Sequence, residues 1–171
     1  ILEAAPAGIV VATADGRFVR CNPANERLWG AQPHPASVED YREWKGWWAD
    51  ESPRRGHPVE PHEWAIVRAL RGETVHDDIV EIEPFGEPGV RRTIVNSGAP
   101  VRDDEGRVTG AVVVQMDISA QVAARAERTE ADAALVALNE RLREADRRKD
   151  EFIGVLARLL IDDPALSGTG I

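Results

Sequence analysis

The chain contains one cysteine, Cys21, so no internal disulfide can form. That usage fits a reducing compartment, and the expected location is cytoplasmic. No apolar run approaches the ~20 residues that span a bilayer, and no signal peptide opens the chain. Basic residues are outnumbered, with 21 Lys and Arg against 30 Asp and Glu and a net charge of −9. Such a balance argues against a nucleic-acid surface. The acidic residues are spread along the chain and read as a solvated exterior. The four histidines form no zinc spacing, so no metal is expected. No catalytic constellation stands out, so no independent enzymatic activity is expected. The chain opens on Ile1 rather than Met, which suggests a piece of something longer.

Hydrophobic residues make up 43% of the 171 positions, enough for one domain and an appendage. Ile9 to Thr13 is rich in β-branched residues, and Phe18 to Cys21 returns after Asp15-Gly16, a strong hairpin signal. Asn22 is a candidate N-cap, Pro23 a first helical residue, and Gly30 a stop for a helix ending at Trp29. Ser37 and Asp40 make an imperfect capping box. Behind them Trp44 and Trp48 stand four apart, as if on one helix face, with Trp47 at its edge. These rings are either ordinary core or a lid over a ligand cavity. Trp64, Val67 and Leu70 are spaced by three and predict a helix over Pro61 to Arg71, ended by Gly72. Three strands follow, over His76 to Phe85, Val90 to Val101 and Val108 to Ser119.

Strand pairs joined by tight turns are antiparallel, so the expected fold class is α+β, with the helices between the second and third strands. By period 2, Ala111, Val113 and Gln115 share one face of the last strand and Val112, Val114 and Met116 the other. Both faces are largely apolar, so the outer one is expected to pack against an N-terminal helix or a partner subunit.

Several motifs in this order resemble the PAS sensor family over Leu2 to Ser119. They are the Asp15-Gly16 hairpin, the Asn22-Pro23-Ala24 helix start, the Trp64 to Gly72 helix with Glu73-Thr74-Val75, and the Pro100 to Gly106 turn. The sharpest is Asp117-Ile118-Ser119, which is similar to the family's Asp-Ile-Thr signature at the end of the last strand. The resemblance implies a PAS-like five-stranded antiparallel sheet with flanking helices, one face cupping a small cavity. It implies that Gln115 looks into the cavity with Val113, and that Ile94, Asn96 and Gly98 lie on the inner face of the preceding strand. With Trp64 these are the candidate ligand-binding residues. Asn96 and Gln115 either orient a ligand or satisfy each other and nearby backbone. The flavin-binding relatives' reactive cysteine motif, Asn-Cys-Arg-Phe, is absent, and Cys21 sits at the end of a strand. Haem-binding relatives use a histidine on the longer helix. His57, His62 and His76 lie near it, but none has a supporting motif. No cofactor is required by the sequence.

Ala120 to Lys149 has no Gly or Pro and is rich in Ala, Glu, Arg and Leu, a strongly helix-forming composition. Leu135, Leu138, Leu142, Ala145, Phe152, Leu156 and Leu159 alternate steps of three and four, with Lys149 in one slot. This is a heptad seam. Val122, Ala126, Thr129 and Ala133 follow another phase, so the repeat breaks near Ala133 to Leu135. A charged rod with one apolar stripe is poorly stable alone, and pairing in a parallel homodimer is expected ahead of folding back on its own domain. Lys149 to Ala157 resembles the opening of the dimerisation and phosphoacceptor helix of sensor histidine kinases. In that family a histidine and an acid come next, as nucleophile and base. Here Arg158 and Leu159 stand there and can take neither role. Pro164 is the last point of likeness, and Leu166 to Ile171 reads as an unstructured end. The departure at Arg158 is a truncation effect, a degenerate copy or an altered junction. The expected division is a PAS sensor domain over 1–119, a coiled-coil signalling helix over 120–148 and a truncated or degenerate phosphoacceptor helix start and tail over 149–171. Asp117, Ile118 and Ser119 would transmit the signal. The implied parent is a two-component histidine kinase, with a catalytic module and a response regulator as partners.

Overall fold

The computed structural model describes residues 2–31 and 33–161, with side chains described as far as residue 156. The chain divides into two compact units, one ending at Val122 and one starting at Ala123. The first is a single antiparallel sheet with short helices on one face. Its strands are β1 (Gly8–Thr13), β2 (Phe18–Cys21), β3 (Lys45–Trp48), β4 (Val75–Glu83), β5 (Arg92–Arg102) and β6 (Val108–Asp117). They lie in the order β2-β1-β6-β5-β4-β3. Helix α1 (Pro23–Trp29) follows β2, and α2 (Ala65–Leu70) precedes β4.

Local chemistry sets the early elements. Gly16 takes φ 88° in the β1–β2 turn, a region a side chain disfavours. Asn22 caps α1, its side chain accepting from Asn25 N at 3.1 Å and from Ile9 N at 2.8 Å. One residue therefore starts the helix and pins it to β1. At the other end of α1, Arg92 of β5 donates to the carbonyls of Arg27 and Leu28, which suits a cation at a helix C-terminus.

The sheet has six strands where five were expected. The extra one is β3, which pairs Lys45 with Glu83 and Trp48 with Val80. A spacing of four fits one helical turn and also two strand periods, so Trp44 and Trp48 did not discriminate between the two. Trp44 is the residue after a 3-10 helix over Val38–Glu43, and Gly46 and Trp48 face inward from the strand. A Cβ on Gly46 would lie 2.5 Å from the Trp64 ring, so the glycine makes room for that indole. As an edge strand β3 is covered by its own loop: Trp48 N donates to His57 O and Val59 N to Gly46 O.

The single helix expected over Pro61 to Arg71 is broken. A 3-10 helix covers Pro61–Glu63, Trp64 is extended (φ −56°, ψ 136°), and α2 then runs only to Leu70. The break turns the Trp64 ring into the core, where it is 3% exposed. Helix α2 lies close on β5 because Gly98 is small; a Cβ there would meet Ala65 O at 3.0 Å.

Alternation along β6 is as read from the sequence. Ala111, Val113 and Gln115 are buried, whereas Val114 and Met116 are 40% and 52% exposed. The core joins this inner face to α2 and to Trp29, Tyr41, Trp44, Trp48 and Trp64.

The second unit is the continuation of α3 (Ser119–Ile161), 43 residues without a break. Leu135, Leu138, Leu142, Phe152 and Leu156 are all exposed on the single chain. Arg158 and Leu159 fall on its backbone, with side chains outside the described ones; Pro164 and Leu166 to Ile171 lie outside the described residues. No described helix is long and apolar enough to cross a membrane.

Candidate functional site

The inner face of the sheet and the helices above it enclose the site. Of the six candidate ligand-binding residues, Trp64, Asn96, Val113 and Gln115 come together around one cavity. Ile94 and Gly98 are on the same face, both buried, but Ile94 is packed in the core and Gly98 lies under α2. Val10, Phe18, Tyr41, Trp44, Ala65 and Ile66 complete the wall. The remaining space is about 10 Å³ as room for the centre of a water molecule, near the lower limit for holding one water.

Indoles occupy the rest. Trp29 and Trp44 meet with centroids 4.4 Å apart and planes tilted by 55°, and Trp64 meets Trp29 edge-on at 5.9 Å. Tyr41 and Phe18 close the cluster against Trp44. Val10, Phe18 and Trp29 are residues at the site that sequence reasoning did not place there. A clue was available for Trp29, which ends a predicted helix directly before a glycine stop.

The polar groups are arranged in series. Trp29 Nε1 donates to Gln115 Oε1 at 2.7 Å, and Gln115 Nε2 reaches Asn96 Oδ1 at 3.5 Å. Gln115 and Asn96 are 5% and 3% exposed, so both amides depend on such partners. The acceptor of Gln115 is therefore taken by an indole rather than left for a ligand. Tyr41 donates its hydroxyl to Gly16 O at 2.9 Å. Burial, and then the charge of Asp40, push that phenol well above its ordinary value of 10.0, which keeps it protonated. Two donors in the wall have no partner: Nε1 of Trp44 and Nε1 of Trp64.

As packed, the indoles leave about 10 Å³, far less than a flavin ring or a haem occupies. Cys21 is absent from the cavity wall, and all four histidines are exposed, so the wall offers neither a thiol nor an axial ligand. Among the described residues no three His, Cys, Asp or Glu side chains could hold a metal ion.

The residues expected to transmit a signal, Asp117, Ile118 and Ser119, lie at the end of β6. Ser119 N donates to Asp117 Oδ1 at 2.8 Å, and Ser119 Oγ accepts from Thr93 N at 2.9 Å. Ile118 N donates to Thr93 O at 2.8 Å. Both polar groups of the Thr93 backbone thus clasp the start of α3. The next residue, Ile94, pairs with Asp117 and is fully buried.

A family model described as the PAS fold matches residues 2–123. Comparison with curated proteins gives no match. Among solved structures the chain is similar to an RNA-binding light-oxygen-voltage receptor, at 25% identity and TM-score 0.47, over 78% of this chain and 35% of that one. The chain thus spans about a third of that receptor's length. The PAS domain of Bordetella pertussis BvgS gives 18% identity and TM-score 0.45, over 74% of this chain and 86% of that one. The light-oxygen-voltage domain of the Erythrobacter litoralis EL346 blue-light activated histidine kinase gives 17% and 0.44, over 67% and 98%.

Proposed function

This chain belongs to the PAS fold family, and on that premise we propose that it is the sensing and dimerising portion of a bacterial two-component sensor histidine kinase. The observation that carries the reading is the clasp of Ser119 and Ile118 on Thr93. It ties the first turn of α3 to β5 one residue from the buried Ile94. A change of packing inside the sheet then acts on the helix start through two hydrogen bonds. Arg92, beside Thr93, also holds the last carbonyls of α1, the helix that carries Trp29. Interior, α1 and α3 share one short stretch of β5.

The signal passes from the domain over 1–119 into a coiled coil over 120–148. Leu135, Leu138, Leu142, Phe152 and Leu156 are exposed in heptad positions, and a parallel homodimer buries them. Two packings of the paired helices, differing by roughly a few kcal/mol, give the relay its two states; the phase break near Ala133 to Leu135 favours such a pair. The stretch over 149–171 is a truncated or degenerate phosphoacceptor start with Arg158 in the histidine's place, and catalysis and the response regulator belong to the parent protein.

A second reading, a ligand-free PAS dimerisation module, is favoured by one observation: the indoles already fill the interior. One pair of measurements separates the readings. Native mass spectrometry should show a dimer, and Leu138→Lys with Leu142→Lys a monomer whose domain still melts cooperatively. Spin labels placed across α3 should then report a different separation in Ser119→Ala than in the parent chain. A monomeric parent chain sinks both readings. A dimer whose helix separation ignores Ser119 leaves only the dimerisation module.

A further inference from the structure

We propose that the interior takes a small neutral molecule bearing a hydrogen-bond acceptor, gripped by the indole N–H groups of Trp44 and Trp64. This rests on the sensing reading above and names the class of molecule sensed. Trp44 and Trp64 are 7% and 3% exposed, and the Nε1 donor of each is buried with no partner. A buried donor without an acceptor is costly, and native interiors rarely keep one. Here two occur on rings 6.2 Å apart that line the same cavity.

The rest of the wall selects the chemistry. No charged side chain lines the cavity, so a carboxylate or phosphate would lose its hydration with no countercharge. A cation meets no carboxylate in the wall and would likewise lose its hydration with no countercharge. The two unpartnered indole donors stand among aromatic and aliphatic surfaces, which suits a carbonyl or ether oxygen on an apolar body.

The site is closed as it stands, with room for about one water, so entry requires the rings to move. Trp44 (φ −81°, ψ 126°) and Trp64 (φ −56°, ψ 136°) are extended residues that each follow a short 3-10 helix. Such turns have poorer hydrogen-bond geometry than an α-helix. Gln115 also lines an open cleft beside Arg27, Leu28 and Asp117. It is the shared wall between the cavity and the end of β6, where the clasp on α3 begins.

The test titrates the full chain with three probes: cyclohexanone, methylenecyclohexane (the same shape with CH2 for the oxygen) and cyclohexanecarboxylate. Tryptophan fluorescence and thermal shift are the readouts. Cyclohexanone should bind at least about tenfold more tightly than methylenecyclohexane, the worth of satisfying a buried donor, and the carboxylate should not bind. Trp44→Phe and Trp64→Phe keep a ring and remove a donor; each should cut that preference several-fold. Trp47→Phe, on the opposite face of β3, should leave it unchanged and controls for general loosening. Should one Phe variant fail to fold, the other decides. Equal binding of the two neutral probes, binding of none, a lone ordered water on both indoles, or a preference that survives both Phe variants would each overturn the proposal. Cyclohexanone binding with an unchanged α3 label distance would spare the ligand class and sink the relay. A clasp-dependent α3 without binding would do the reverse.

Discussion

Trp29 on α1 donates its indole proton to Gln115 on β6 across 2.7 Å, although 86 residues separate them. The bond crosses from the first helix to the strand that leads into α3. It also explains why a glutamine survives at 5% exposure in an apolar wall. Each partner removes the other's desolvation cost, and the ring of Trp29 fills the space beneath α1.

Gln115→Leu should destabilise the domain by ~1–3 kcal/mol, because it leaves the Trp29 donor buried and unpaired. Trp29→Phe orphans the glutamine oxygen and should cost at least as much. The double variant should cost less than the two singles summed, by ~0.5–1.5 kcal/mol. Urea unfolding of the four proteins measures this cycle. Strictly additive losses would show that the two residues act independently.

Gly46→Ala should be destabilising by ~1–3 kcal/mol through overpacking. The new methyl would sit 2.5 Å from the Trp64 ring and 3.3 Å from Glu81 O. In an open strand the same change is favourable, since alanine restricts the unfolded chain. A stabilised variant in chemical denaturation would mean that Trp64 is free to step aside.

Asp78 on β4 lies 2.6 Å from Arg68 and 3.9 Å from Arg54. Burial nevertheless pushes its carboxyl above the ordinary 3.8, and the two guanidinium groups pull back only in part. A raised folded-state value means that the folded chain takes up the proton before the unfolded one. Asp78 therefore adds stability as the pH falls through its raised value, and that gain is complete below its unfolded value. Asp78→Asn removes the gain. The melting temperature of the variant relative to the parent should be highest near neutrality and decline on acidification towards about pH 3.5. Calorimetry across that range checks it; a difference that is flat or rises with acidity contradicts the assignment.

The sequence by itself determined whatever depends on near neighbours. The Asp15-Gly16 turn, the Asn22 cap, the inward set Ala111, Val113 and Gln115, and the unbroken α3 are all set within a few residues. Steric preference and periodicity act at that range. The motif order around Asp117-Ile118-Ser119 was equally legible, and with it the family. The tertiary structure alone decided the rest. Whether Trp44 to Trp48 would be helix or strand turned on β4, over 30 residues away, offering Val80 to Glu83 as partners. The break at Trp64 arises because its ring belongs in the core beside Gly46, a gain that outweighs one more turn of helix. Alternation sorted β6 into two faces and the family resemblance said which one meets the cavity, but neither decided how the cavity is filled. Trp29, Trp44 and Tyr41 reach it from separate short elements, and only packing brings their rings together. That packing closes the Gln115 acceptor and leaves the Trp44 and Trp64 donors open.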